Sequence, residues 1–166
     1  MRTFFFFLLT LVLFNACSSA PQKKYDAKYE ASENISFEGW EKLTRLNEDP
    51  LESASHNAFI DIHANDLGQK AYIQKVKVFP VGAELLKPLY ADKRRKKLVR
   101  LVIMVKKEQG YDSENGDWWY GVYDKTGKEA WYQGRINSCI QCHKIAKESD
   151  YLFTESVMDN IEMQAL

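Results

Sequence analysis

"KLVRLVIMVKK", residues 97–107, decides the architecture. Lysines bracket a core, Leu98 to Val105, that is apolar except for Arg100. Val and Ile dominate it, and a short apolar run of this kind bounded by charge reads as a strand covered on both faces. The stretch is therefore predicted to be the central strand of a sheet. Just upstream, "GAELLKPLYA" (82–91) reads as extended, because Pro88 biases Lys87 away from helix. "DKRRKK" (92–97), the strongest basic run, reads as a solvated turn between these two strands. Downstream, "GYDSENGD" (110–117) is a loop, and "WWYGVYDKTGKEAWYQG" (118–134) is a hairpin turning at Asp124 to Gly127.

Toward the N-terminus, "HNAFIDIHAN" (56–65) alternates Phe59, Asp61 and His63 against Ala58, Ile60 and Ile62, as a strand would. "DLGQKAYIQKVKV" (66–78) reads as a helix opened by Asn65 or Asp66. "SFEGWEKLTRL" has apolar residues at 37, 40, 43 and 46, which predicts a short amphipathic helix over Ser36 to Leu46, ended by Asn47 to Pro50. Helices and antiparallel strands are segregated, so the class is α+β: one domain over residues 35–166, mainly antiparallel sheet with flanking helices.

The chain opens "MRTFFFFLLTLVLFNAC". Arg2 is a brief basic region, and the apolar stretch Phe4 to Phe14 is too short to span a bilayer, which fits a secretory signal over residues 1–16. Phe14-Asn15-Ala16-Cys17 resembles a bacterial lipobox, which implies cleavage before Cys17 and diacylation of that cysteine; two acyl chains suffice for stable anchoring. Residues 17–34 read as a polar tether, and a periplasm-facing anchor, the outer membrane favoured, follows. Loss of residues 1–16 removes Arg2 and no acid, taking the net charge from 0 to −1. Nothing in that balance points to nucleic acid.

With Cys17 acylated, two of three cysteines remain, Cys139 and Cys142, in "SCIQCHK" (138–144). Three chemistries compete for this CxxCH. Covalent haem fits best: on a helix near the C-terminus, two thiols three apart share a face, where both can add to one porphyrin edge while His143 places an imidazole on the iron. A thioredoxin-like dithiol wants a βαβ setting, which is missing. Zinc wants four ligands, and His56, His63 and His143 lack finger spacing. C-type haem is also attached outside the cytoplasm, where the signal sends the chain. His56, His63 and Met104 are candidates for a sixth iron ligand, though each reads more simply as a packed residue.

Beyond CxxCH, the motifs "SHNAFIDIHAND", "FPVGAELLK", "GYDSENGDWWYGVYD", "INSCIQCHK" and "DYLFT", in that order from Ser55 to Val157, resemble the cytochrome P-460 family, which includes the cytochromes called c′-beta. The resemblance implies a sheet-rich α+β fold, usually dimeric, with one five-coordinate haem c. In the family's enzymes a lysine ending a Phe-x-x-Gly stretch is bonded to the porphyrin ring; here that stretch is Phe79 to Lys87, and Lys87 matches. The hydroxylamine-oxidising members also carry a distal carboxylate, whose ungapped counterpart is Val102, with Asp61, Glu84 and Arg100 as other inward candidates. A distal wall without an acid offers no general acid–base help and suits a neutral diatomic such as NO or CO. The expected function is thus binding of NO or a similar small ligand. The alternatives are an oxidoreductase acting on hydroxylamine or NO, and an electron-transfer cytochrome with a periplasmic partner.

Overall fold

Strand β6 (Leu98–Lys106) lies at the centre of the sheet, as its sequence requires. The computed structural model describes residues 35–153; the signal, Cys17, the tether and residues 154–166 lie outside the described residues. β6 pairs along its length with β5 (Glu84–Tyr90) on one side and β7 (Trp118–Tyr123) on the other, both antiparallel. β8 (Ala130–Gly134) follows β7 through the predicted hairpin and forms one edge. At the other side β5 pairs with two short strands in succession, β3 (Ala58–Ile60) near its end and β4 (His63–Ala64) near its start. β2 (Leu51–Ser53) extends β3, and β1 (Thr44–Arg45) extends β4. The result is an eight-stranded antiparallel sheet with two short helices, in a single domain.

Alternation along β6 feeds two separate cores. Leu101, Ile103 and Val105 face Leu86, Trp119, Tyr123, Phe37 and Trp40. Gly121 lies between Trp119 and Tyr123 on β7, and a Cβ there would meet both rings at 2.7–2.8 Å, so only glycine lets them lie side by side. On the opposite face Met104 joins Leu85, Trp118 and Tyr120, and this core is covered by α1 (Asp66–Ile73), α2 (Asn137–His143) and the turn carrying Tyr151 and Leu152.

The cap of α1 is Asn65, whose side chain accepts from the Gly68 amide at 2.9 Å. The helix stops at Ile73, five residues short of the expected end, and Lys75 adopts a positive φ of 51°. The segment 36–46 is corrected more fully. Only Trp40–Lys42 form a 3-10 turn, entered through Gly39 at φ 80°, and Leu43 is already extended. Thr44 and Arg45 then pair with Ala64 and His63. Its apolar residues do not share one helical face, since Phe37 and Trp40 enter one core and Leu46 the other.

The strand expected over 56–65 divides at Asp61-Ile62, because its halves pair with different parts of β5. Asp61 is buried there and receives Arg95 in two contacts of 2.7 and 2.9 Å, plus Asn47 at 3.0 Å. Arg95 therefore leaves the otherwise exposed 92–97 turn to act as a tie.

Candidate functional site

The strand register sets the site. Lys87, Val102, Val122 and Tyr132 form one cross-strand row; Leu85, Met104 and Tyr120 form the next. These rows floor a cavity of about 650 Å³ that Cys139, Cys142 and His143 close from the α2 side. Arg100, His56 and Trp131 line it as well. The volume falls within the usual range of ligand sites, roughly 300–1,000 Å³.

On α2 the residues 139, 142 and 143 follow the three- and four-residue spacing that brings helical side chains to one face. Ile140 anchors the helix in the core. Burial pushes the Cys139 thiol up to about 11, countered in part by Ser138. That is opposite to the lowered thiol a dithiol redox motif needs. Among the described residues no three His, Cys, Asp or Glu side chains stand together as a metal-holding group. The zinc alternative therefore lacks a ligand set in these residues.

His143 is buried between the rings of Tyr120 and Phe153, each with its centroid 5.4 Å away. Its Nδ1 lies 2.6 Å from the Tyr151 carbonyl. A carbonyl only accepts, so Nδ1 carries the proton and Nε2 keeps its lone pair, the arrangement of a metal-ligating imidazole. Burial, reinforced by the Lys87 charge, lowers the imidazole to about 4 and keeps it neutral at pH 7.

The Tyr151 carbonyl is itself held on several sides. Asp150 and Tyr151 both have positive φ, 51° and 66°. The Asp150 carboxylate accepts from Lys106 Nζ at 2.7 and 2.8 Å and from the Phe79 amide at 2.8 Å. The Asp150 carbonyl accepts from Trp118 Nε1 at 2.8 Å, and Tyr151 donates its hydroxyl to the Glu114 carbonyl at 3.1 Å. Gly116, at φ 73°, must lack a side chain because a Cβ would overlap the Tyr151 ring. Nothing in the sequence around Lys106 announced this support: its partner is 44 residues away.

The other sequence candidates divide cleanly. Lys87 lines the cavity, and burial lowers its amine to about 8. Val102, the ungapped counterpart of the distal carboxylate, lines it too. Asp61 and Glu84 are not among the lining residues, whereas Arg100 is. Of the possible sixth ligands, Met104 and His56 reach the cavity. His63 does not; its Nδ1 lies 3.2 Å from the Leu43 carbonyl and its ring packs edge-on to Trp40. Tyr120 was missed by sequence reasoning, since an aromatic in a strand looks like core. It is buried in the cavity wall and its hydroxyl has no partner among the described residues.

These features can be tested against a haem. Two thiols and an imidazole with its Nε2 available converge on one cavity of suitable size, with cationic Arg100 at its wall and an orphaned phenol in its lining. Buried polar groups are normally satisfied, so the phenol calls for a polar neighbour that no described residue provides. The residues fit the group.

No curated protein matches the chain. The family model described as Cytochrome P460 matches residues 35–154, most of the chain. Together with a cavity faced by the CxxCH side chains, that match makes the chain a member of the cytochrome P460 family, and so a haem protein of that family.

Proposed function

We propose that this protein carries one haem c, which would be bonded through Cys139 and Cys142 and ligated by His143, and that it binds NO or a similar small neutral ligand in the same cavity. The observation that carries the reading is the conjunction of the hydrogen-bonded His143 with the apolar side chains Val102, Val122 and Met104 in one cavity. Bound iron would supply a coordination site with redox-active d electrons. The chain's residues do the rest. Tyr151 fixes the imidazole tautomer, the two thiols tether the group, and Val102, Val122 and Met104 exclude water from it. An acid–base route for hydroxylamine draws no support from the lining, which among the described residues includes no Asp or Glu. An oxidoreductase acting on hydroxylamine or NO is therefore the second reading.

The test begins with the full chain matured in cells that attach haem c. Its haem is expected to survive acid–acetone extraction, because thioethers persist where coordination bonds do not. Cys139→Ser with Cys142→Ser should yield haem-free or misfolded protein. The ferrous form is expected to bind CO and NO readily while hydroxylamine turnover with an artificial oxidant stays slow. Complete extraction of haem from the wild type would refute the attachment, and fast turnover would reverse the order of the two functions.

We also propose a periplasm-facing lipoprotein, supported by the lipobox resemblance at Cys17. Cys17→Ser should abolish fatty-acid labelling and leave the precursor uncut there; labelling that persists would end this reading. A homodimer is proposed from the family resemblance.

A further inference from the structure

The turn between β2 and β3 brings His56 to the cavity. Its Nδ1 lies 2.8 Å from Ser53 Oγ, which lies 3.4 Å from Ser55 Oγ on the exposed side. A serine hydroxyl both donates and accepts, so this contact supports either imidazole tautomer. With Ser53 donating to Nδ1, the Nε2 carries the hydrogen and is the donor that remains. Arg100, from β6, lines the same cavity, and Lys87 from β5 faces it across a diagonal of the β5–β6 ladder. Among the described residues no carboxylate lines the cavity to neutralise these groups.

We infer that His56 and Arg100 form a small-anion site in the haem cavity, with His56 Nε2–H donating to an anion bound at the iron and the Arg100 guanidinium supplying the opposing charge. The ligand class is the small monovalent anion, nitrite among them, in addition to neutral gases. The inference rests on the haem reading above. His56 is neutral at pH 7, since burial first and then Lys87 and Arg100 lower it to about 4. The other titratable groups of the described lining are His143, the thiols Cys139 and Cys142 that the haem reading takes up as thioethers, and the phenols Tyr120 and Tyr132. The site's charge at pH 7 therefore resides on Arg100, together with Lys87 where its amine is free and protonated. Hydrogen bonds to an anion are about twice as strong as neutral ones and favour charged ligands selectively.

The probes are fluoride for the ferric holoprotein and CO for the ferrous one. His56→Leu is expected to weaken fluoride binding roughly tenfold to hundredfold, while CO affinity changes less than about threefold, since CO gains little from a donor. His56→Gln, which keeps an N–H, should recover part of the loss. Arg100→Met should weaken fluoride severalfold; unchanged affinity there would assign the guanidinium to the porphyrin carboxylates, which share the same chemistry, and overturn its place in the site. Equal fluoride affinity in wild type and His56→Leu, with haem retained, overturns the proposal alone. So does a low-spin ferric wild type that turns high-spin in His56→Leu, because His56 would then be an iron ligand. A wild type that retains no haem overturns the haem reading and this proposal together.

Discussion

Lys106→Met is expected to destabilise the protein by about 3–5 kcal/mol, the range found when one partner of a buried ion pair is removed. Both side chains of the Lys106–Asp150 pair are more than nine-tenths buried, at 7% and 6% exposure. Methionine fills much of the lysine's volume but removes both Nζ contacts to the Asp150 carboxylate, which keeps the Phe79 amide as a donor. The contact of Nζ with the Trp118 ring, 4.8 Å from its centroid, disappears as well. In a domain of this size the midpoint of thermal unfolding should fall on the order of 10–20 °C. The double variant Lys106→Met with Asp150→Asn should recover much of that loss. Asparagine tolerates the positive φ at 150, still accepts from Phe79, and carries no charge to strand. Urea unfolding of the four holoproteins gives the coupling energy directly; a value near zero would show that the pair is not the clamp described.

The same clamp presents the Tyr151 carbonyl to His143, so the destabilised variants should also show a weakened iron–imidazole bond in resonance Raman spectra. A purely structural contact would lower stability and leave that band in place. The link from packing to the iron therefore has its own readout.

Much of this architecture is written locally. The centrality of β6 follows from its apolar run, the hairpin from the Asp124 to Gly127 turn, and the helix start from the Asn65 cap, and all three are observed. The CxxCH residues could be grouped because their spacing is a property of one helix turn. What escaped was decided by distant partners. The 36–46 segment has a helical spacing of apolar residues, but pairing of Thr44 and Arg45 with β4 and the docking of Phe37 beside Trp119 override it. The family match accordingly begins at residue 35, twenty residues before the motifs that carried the resemblance. His56 looked like a packed strand-edge histidine because neither Lys87 nor Arg100 is near it in sequence. Lys106 and Asp150 each read as an ordinary charge until the fold set them 2.7 Å apart.

Lys87 is expected to emerge in peptide mapping as a third covalent attachment to the haem, the largest spectroscopic effect anticipated here. The structure supplies what such a bond needs on the protein side. Lys87 lies in the middle of β5, opposite Val102, and its side chain enters the cavity from the sheet floor. Burial lowers its amine to about 8, partly offset by Cys142. At pH 7 a useful fraction of the amine is then uncharged and nucleophilic, against a negligible fraction for a lysine in water. Replacing a ring C–H by a C–N bond releases two protons and two electrons, so the bond forms only with an added oxidant of the peroxide class, which is reduced to water. The product has lost the porphyrin's symmetry, so its main absorption band should lie well to the red of an ordinary haem c. Lys87→Ala keeps Cys139, Cys142 and His143, so it should retain haem and recover the ordinary spectrum. Mass analysis of a digest should find one haem-bearing species joining the Cys139–His143 peptide to a peptide containing Lys87. Free Lys87 peptide, with haem on Cys139 and Cys142 alone, would refute the bond.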